Sequence, residues 1–138
     1  MSKPFEAGDL IIYPYRWLEE ARAGRSPDGA KERPCCVVIS VTNTRGEPLI
    51  LLAPISSKPP RPGQTALEIP DIERRRAGLT TYDSGWVYVG EMNQDEPNRS
   101  WYLEPHTPIG AFSRAFVSKI AAAARLVLTS RKVVNQRG

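Results

Sequence analysis

The sequence contains very little histidine and cysteine. Its 138 residues include one histidine, His106, and two cysteines, Cys35 and Cys36. A structural zinc site needs four ligands from Cys, His or carboxylates, so these side chains do not predict a metal site. One histidine also argues against mechanisms that use a histidine pair or a histidine-based triad. We therefore expect no metal and no cofactor, and any catalytic groups must be other residue types.

The two cysteines are adjacent, which disfavours a disulfide between them. Neighbouring residues of a strand point to opposite faces, so the two sulfur atoms are poorly placed to bond. We expect two reduced, buried thiols, which are typical of a cytoplasmic protein.

Long apolar runs are absent as well. The longest, residues 37–41 and 49–55, fall far short of the roughly 20 residues that span a bilayer. Residues 1–6 are not followed by the apolar stretch of a secretory signal. We expect a cytoplasmic protein with no membrane partner.

The length and composition suit a single domain. With 138 residues, of which 41% are hydrophobic, the chain can bury a core without disulfides or metal. We predict one domain over residues 1–128, with a long loop insertion at residues 16–32, and a flexible tail at residues 129–138.

Thirteen prolines and ten glycines divide the chain into short, β-branched segments. This pattern is typical of a small, strongly bent β-structure. Strands are predicted at residues 9–13, 35–41, 49–55, 65–69, 85–89 and 101–103. Short helical segments are predicted at residues 17–24 and 72–77.

A longer helix is predicted near the C-terminus. Ser113 is a plausible N-cap, and apolar residues then recur at helical spacing. They are Phe116, Val117, Ile120, Ala123, Ala124 and Val127. The predicted fold class is mainly β with a C-terminal helix (α+β), in which the helix packs on a small barrel or half-barrel.

Positive charge is concentrated in a few segments. The chain has 19 Lys and Arg against 15 Asp and Glu, a formal charge of +4. Basic residues gather at 16–33, at 58–76 and beyond Glu104, the first two groups lying near aromatic rings. Such segments suit single-stranded nucleic acid, because cations bind phosphates and rings stack on bases. A solvated surface, on which nearby carboxylates offset the charge, is the alternative interpretation.

Arg33 precedes Pro34 at the start of the central predicted strand. Proline restricts the residue before it to an extended conformation, and a guanidinium held there can bind a phosphate through two hydrogen bonds. An ion pair with Glu32 or Glu91 is the competing interpretation. Ser56 and Ser57 end the partner strand, where serines also commonly form turns.

Several motifs together resemble a known family. Residues 8–13 (GDLIIY), 33–39 (RPCCVVI) and 53–57 (APISS) are similar, in order and spacing, to signature blocks of the MazF/PemK toxins of bacterial toxin–antitoxin systems. Residues 78–93 and 109–120 agree with later parts of the family pattern. The resemblance covers roughly residues 8–128.

The resemblance implies an SH3-like small barrel of the CcdB/MazF type that acts as a homodimer. It also implies a metal-independent endoribonuclease, of the mRNA interferase type, that cleaves single-stranded RNA by in-line attack of a 2′-hydroxyl and is neutralised by a cognate antitoxin. Arg33 and Ser56 match the family's catalytic pair, with Ser in place of the commoner Thr. The expected RNA-binding residues are Tyr13, Arg16, Trp17, Lys31, Ser57, Lys58 and Glu91.

Two alternatives without catalysis remain open. The same barrel occurs in toxins of the CcdB type, which bind a protein such as DNA gyrase and cleave nothing. The second alternative is a non-catalytic adaptor that binds RNA or protein. The insertion at residues 16–32 is longer than in typical members, so the resemblance does not carry over a cleavage sequence.

Overall fold

The structure is a computed structural model that describes residues 4–24, 31–80, 84–103, 107–130 and 133–135. Within these residues the chain forms eight strands, three α-helices and one 3₁₀ turn. The strands are β1 (Asp9–Pro14), β2 (Glu32–Thr42), β3 (Pro48–Ser56), β4 (Ala66–Glu68), β5 (Trp86–Tyr88), β6 (Met92–Asp95), β7 (Gly110–Ala111) and β8 (Val133–Asn135). The helices are α1 (Leu18–Arg22), α2 (Asp71–Arg76) and α3 (Arg114–Ser130), and the 3₁₀ turn is Trp101–Leu103.

The strands form one curled sheet, which makes a half-barrel. Its main order is β4-β5-β3-β2-β1-β7, and each of these pairs is antiparallel. Strand β3 pairs with β6 through residues 50–52 and with β5 through residues 55–56, so β5 and β6 share one edge of β3. Strand β8 joins β6 in parallel. The predicted fold class, mainly β with a C-terminal helix, is confirmed.

One hydrophobic core lies between the sheet and α3. Its sheet side includes Leu10, Cys36, Val38, Leu51, Ala53, Ile55 and Val87, and its helix side includes Phe112, Phe116, Ile120 and Ala124. The prediction that the apolar stripe of the C-terminal helix packs on the sheet is thereby confirmed, except at Val127, whose side chain lies outside the described set.

A second core covers the opposite face of the sheet. Its buried members are Phe5, Ile11, Tyr13, Tyr15, Cys35, Val37, Ile50, Leu52 and Leu103. Because neighbouring strand residues point to opposite faces, Cys35 enters this core and Cys36 enters the first. Both thiols are free and buried, as predicted, and burial raises the pKa of Cys36 to about 12.

The start of α3 is fixed by α2. Ser113, the predicted N-cap, accepts a hydrogen bond at its Oγ from the Phe116 amide (3.3 Å). Its own amide and hydroxyl donate to the two carboxylate oxygens of the buried Glu73, at 2.8 and 2.6 Å. One carboxylate thus joins α2 to the start of α3.

The structure differs from the predicted strands at residues 101–103, and strands β6, β7 and β8 were not predicted. Residues 101–103, predicted as a strand, form the 3₁₀ turn, in which the Leu103 amide donates to the Ser100 carbonyl oxygen and Leu103 packs into the second core. Within residues 129–138, predicted as a flexible tail, α3 continues to Ser130 and β8 pairs with β6, burying Val134. The rest of that range lies outside the described residues.

The insertion at residues 16–32 includes α1 and the first residue of β2, and its residues 25–30 lie outside the described set. Across the described part of the chain, no helix combines the length and the apolar character that crossing a bilayer requires.

Candidate active site

A cleft of about 550 Å³ opens where the ladder between β2 and β3 ends. Six of the nine predicted site residues line it: Trp17, Lys31, Arg33, Ser56, Ser57 and Lys58. The other lining residues are Glu32, Pro34, Ile55, Pro59, Arg61, Gln64 and Tyr88.

Strand register brings the two expected catalytic residues together. Cys35 pairs with Pro54, so continuing this antiparallel register by two residues in each strand places Arg33 opposite Ser56. Opposed residues of neighbouring strands project to the same face. Beyond Ser56, the prolines of residues 59–62 lack amide donors and cannot continue the ladder. The two side chains therefore reach the cleft from adjacent strand ends.

Arg33 is held in the cleft by an aromatic ring. Its guanidinium carbon lies 5.4 Å from the ring centroid of Trp17, within cation–π range. Its Nε is buried and has no hydrogen-bond partner among the described residues. An ion pair with Glu32 or Glu91, the competing interpretation from the sequence, does not occur there either. A buried donor without a partner is costly.

Trp17 is itself held by two aromatic rings from outside the insertion that carries it. Its ring makes edge contacts with Tyr15 (centroids 5.2 Å apart) and Tyr88 (5.8 Å). Just before it, the side-chain amide of the buried Asn93 accepts from the Arg16 amide and donates to the Arg16 carbonyl, both at 2.7 Å. The start of the insertion is therefore anchored to β6 and forms one wall of the cleft.

The hydroxyl of Ser56 is oriented by the loop that follows it. Its Oγ accepts a hydrogen bond from the Lys58 amide (3.2 Å), which leaves the hydroxyl proton available to a ligand. The Lys58 carbonyl in turn accepts from the Tyr88 hydroxyl (2.6 Å), and burial raises the pKa of that tyrosine. Both contacts hold the loop in place beside Arg33.

The cleft is strongly basic. Its described lining contains four cations, Lys31, Arg33, Lys58 and Arg61, and one carboxylate, Glu32. A concave surface with this excess of positive charge attracts polyanions. Glu32, Arg61, Gln64 and Tyr88 were not among the predicted site residues, although Arg61 belongs to the basic segment at residues 58–76 that the sequence singles out.

Three predicted site residues lie outside this cleft. Tyr13 is fully buried, and its hydroxyl donates to Asp95 at 2.6 Å, while burial and that carboxylate raise its pKa. In this fold the ring of Tyr13 is therefore not accessible to a base. Arg16 is not part of the cleft lining, and Glu91 lines a smaller pocket beside the cleft.

No cluster of three or more His, Cys, Asp or Glu side chains that could hold a metal ion occurs within the described ranges. Neither the protein-family models nor the curated proteins compared with this chain match it.

Proposed function

We propose that this protein is a metal-independent endoribonuclease toxin that cleaves single-stranded RNA, as the MazF/PemK toxins that its motifs resemble do. The observation that carries the proposal is the placement of Arg33. Its buried Nε lacks a partner among the described residues, and Arg33 and Ser56 both line the cationic cleft that opens where the β2–β3 ladder ends.

The reaction needs no external co-reactant. The ribose 2′-oxygen attacks the adjacent phosphorus and the bond from phosphorus to the 5′-oxygen breaks. The products are a 2′,3′-cyclic phosphate and a free 5′-hydroxyl. The 2′-hydroxyl proton passes to a carboxylate, for which Glu32 is the described cleft residue of the right type. The same proton is then delivered through water to the leaving 5′-oxygen, which returns the carboxylate to its starting form.

Arg33 and Ser56 stabilise and align this reaction. An arginine stays protonated, so the Arg33 guanidinium donates hydrogen bonds to the phosphoryl oxygens as negative charge grows on them, and it polarises the leaving oxygen. The free hydroxyl proton of Ser56 bonds the phosphate or the 2′-oxygen and holds the attack in line.

The rest of the cleft suits a single strand of RNA. Lys31, Lys58 and Arg61 can follow successive phosphates, and the rings of Trp17 and Tyr88 offer surfaces for bases. On the resemblance alone we also propose a homodimer in the cytoplasm, held inactive by a cognate antitoxin whose acidic segment occupies the basic cleft.

The chemistry is tested with modified substrates. A single-stranded RNA oligonucleotide incubated with the protein in EDTA should yield fragments ending in a 2′,3′-cyclic phosphate. An oligonucleotide with a 2′-deoxyribose on the 5′ side of the cleaved bond should remain intact, because it lacks the nucleophile. Equal cleavage of the two substrates, or products with a 5′-phosphate, would contradict the proposed reaction. A protein that binds gyrase and leaves both substrates intact would instead be a toxin of the CcdB type.

A further inference from the structure

A second, smaller pocket of about 190 Å³ adjoins the cleft. The two share Trp17, Gln64 and Tyr88 in their linings, so a strand in the cleft can place one base in the smaller pocket. The side away from the cleft carries two charged groups, Glu91 and Arg22.

The carboxylate of Glu91 is fixed by protein contacts at one oxygen. Its Oε1 accepts hydrogen bonds from the Leu18 amide (2.7 Å) and the Tyr15 hydroxyl (3.1 Å), which use both lone pairs of that atom. Within the described residues, Oε2 accepts no hydrogen bond. The pocket therefore contains an oriented acceptor atom that is still free.

Arg22 supplies the complementary donor. Both Arg22 and Glu91 line this pocket. Burial raises the pKa of Glu91, the hydrogen bonds from Leu18 and Tyr15 lower it, and the nearby charges of Glu20 and Arg22 have smaller, opposite effects on it. No ion pair or hydrogen bond joins the two side chains in the described part of the chain. The pocket thus offers a carboxylate acceptor and a guanidinium donor, with the rings of Trp17 and Tyr88 beside them.

We propose that this pocket binds a guanine base of the RNA whose phosphate lies at Arg33, an inference that rests on the proposed function. Guanine presents two adjacent donors, N1–H and N2–H₂, next to the acceptor O6. Oε2 of Glu91 accepts from the donors and Arg22 donates to O6. Uracil presents its one N–H between two carbonyl oxygens, which face the carboxylate unfavourably.

Binding of mononucleotides tests this pocket without requiring cleavage. Guanosine, adenosine, cytidine and uridine 5′-monophosphates are titrated into the protein by calorimetry. The wild type should bind the guanosine nucleotide at least about tenfold more tightly than the uridine nucleotide, the discrimination expected of a good base contact.

Glu91→Gln is the informative variant. Its amide oxygen must stay toward the Leu18 amide, since the opposite orientation would set two donors against each other, so an NH₂ group replaces Oε2. The preference for the guanosine nucleotide should disappear, with the folded state verified by circular dichroism. Arg22→Met, at an exposed helix position, should weaken the same preference, and Glu19→Gln, which removes an exposed carboxylate of α1, should leave it unchanged.

Equal affinity for the four nucleotides, including no binding at all, overturns the guanine pocket. A preference that Glu91→Gln or Arg22→Met leaves intact overturns it too. These results are separable from failure of the proposed function: loss of RNA cleavage with an intact guanine preference contradicts the nuclease alone, and cleavage without any base preference contradicts the pocket alone.

Discussion

The guanidinium of Arg33 is packed against the ring of Trp17, 5.4 Å from its centroid, although the two residues belong to different parts of the chain. Arg33 lies near the start of β2, and Trp17 belongs to the insertion that precedes it. A cation over an aromatic face is stabilised by about 0.5–2 kcal/mol. The insertion therefore helps to position the residue on which the proposed chemistry depends most.

Removing the ring should reduce activity. We expect Trp17→Ala to lower kcat/KM for RNA by about tenfold, because an Arg33 guanidinium without its aromatic support spends less time aligned with the phosphate. Trp17→Phe keeps an aromatic face and should retain most of the activity. Initial rates of cleavage of a fluorescent oligonucleotide measure both. Equal activity of the wild type and Trp17→Ala would show that the contact does not position Arg33.

Glu91 should make stability depend on pH. Burial raises its pKa above the usual value of a glutamate, so the folded state binds this proton more tightly than the unfolded state. The stabilisation that this group contributes is therefore complete below the pKa that it has in the unfolded state. It is lost as the pH rises through the pKa that it has in the folded state. The glutamine side chain of Glu91→Gln does not titrate, so the stability of this variant does not fall with pH for this reason.

Urea denaturation in buffers from about pH 4 to about pH 7 measures the effect. The free energy of unfolding of the wild type should fall relative to that of Glu91→Gln as the pH rises, and the difference should then become constant. Glu19→Gln, at an exposed site of α1, should follow the wild-type curve. A difference between wild type and Glu91→Gln that is constant over the whole range contradicts this assignment.

The junction between α2 and α3 should contribute measurably to stability. Ser113→Ala removes the cap of α3 and the hydroxyl partner of the buried Glu73, so we expect a loss of about 1–3 kcal/mol in the free energy of unfolding. Ser118→Ala, at an exposed position of the same helix, is the control and should change stability by less than about 0.5 kcal/mol. Equal stabilities of the two variants in urea denaturation would contradict the capping role.

The buried stripe of α3 gives the largest expected effect on stability. Phe116 is buried and makes an edge contact with Phe112, with centroids 5.0 Å apart. Phe116→Ala should therefore cost about 3–5 kcal/mol. Leu126→Ala truncates a side chain that is 73% exposed and should cost far less. A melting temperature that Phe116→Ala leaves unchanged would show that the helix does not pack as described.

The sequence patterns predicted strands at β1 to β5 but not at β6, β7 and β8, and they proposed Arg33 and Ser56 as the central pair of the site. The apolar run after Arg33 and the one before Ser56 are local patterns, and their pairing in one hairpin follows from the short turn between them. Pairing of these runs in register is what brings the two residues to one cleft.

The contacts that the sequence could not show join distant segments. Tyr13 stands near basic residues and was expected to bind RNA, but its hydroxyl partner is Asp95, 82 positions later. The anchoring of the Arg16 backbone by Asn93 spans 77 positions. Neither partner has a local pattern that reveals it. The 3₁₀ turn at Trp101–Leu103 was mistaken for a strand because its three apolar residues are compatible with either.

The proposed function depends above all on Arg33. Its most direct test is cleavage of a single-stranded RNA in EDTA. Three proteins are compared: the wild type, Arg33→Ala, and the control Arg45→Ala at the exposed turn between β2 and β3. The wild type and the control should degrade the RNA at equal rates, and Arg33→Ala should be slower by at least about 10²-fold, the usual effect of removing a group that stabilises transition-state charge. Equal loss of RNA with the wild type and Arg33→Ala, or no loss with the wild type, would contradict the assignment.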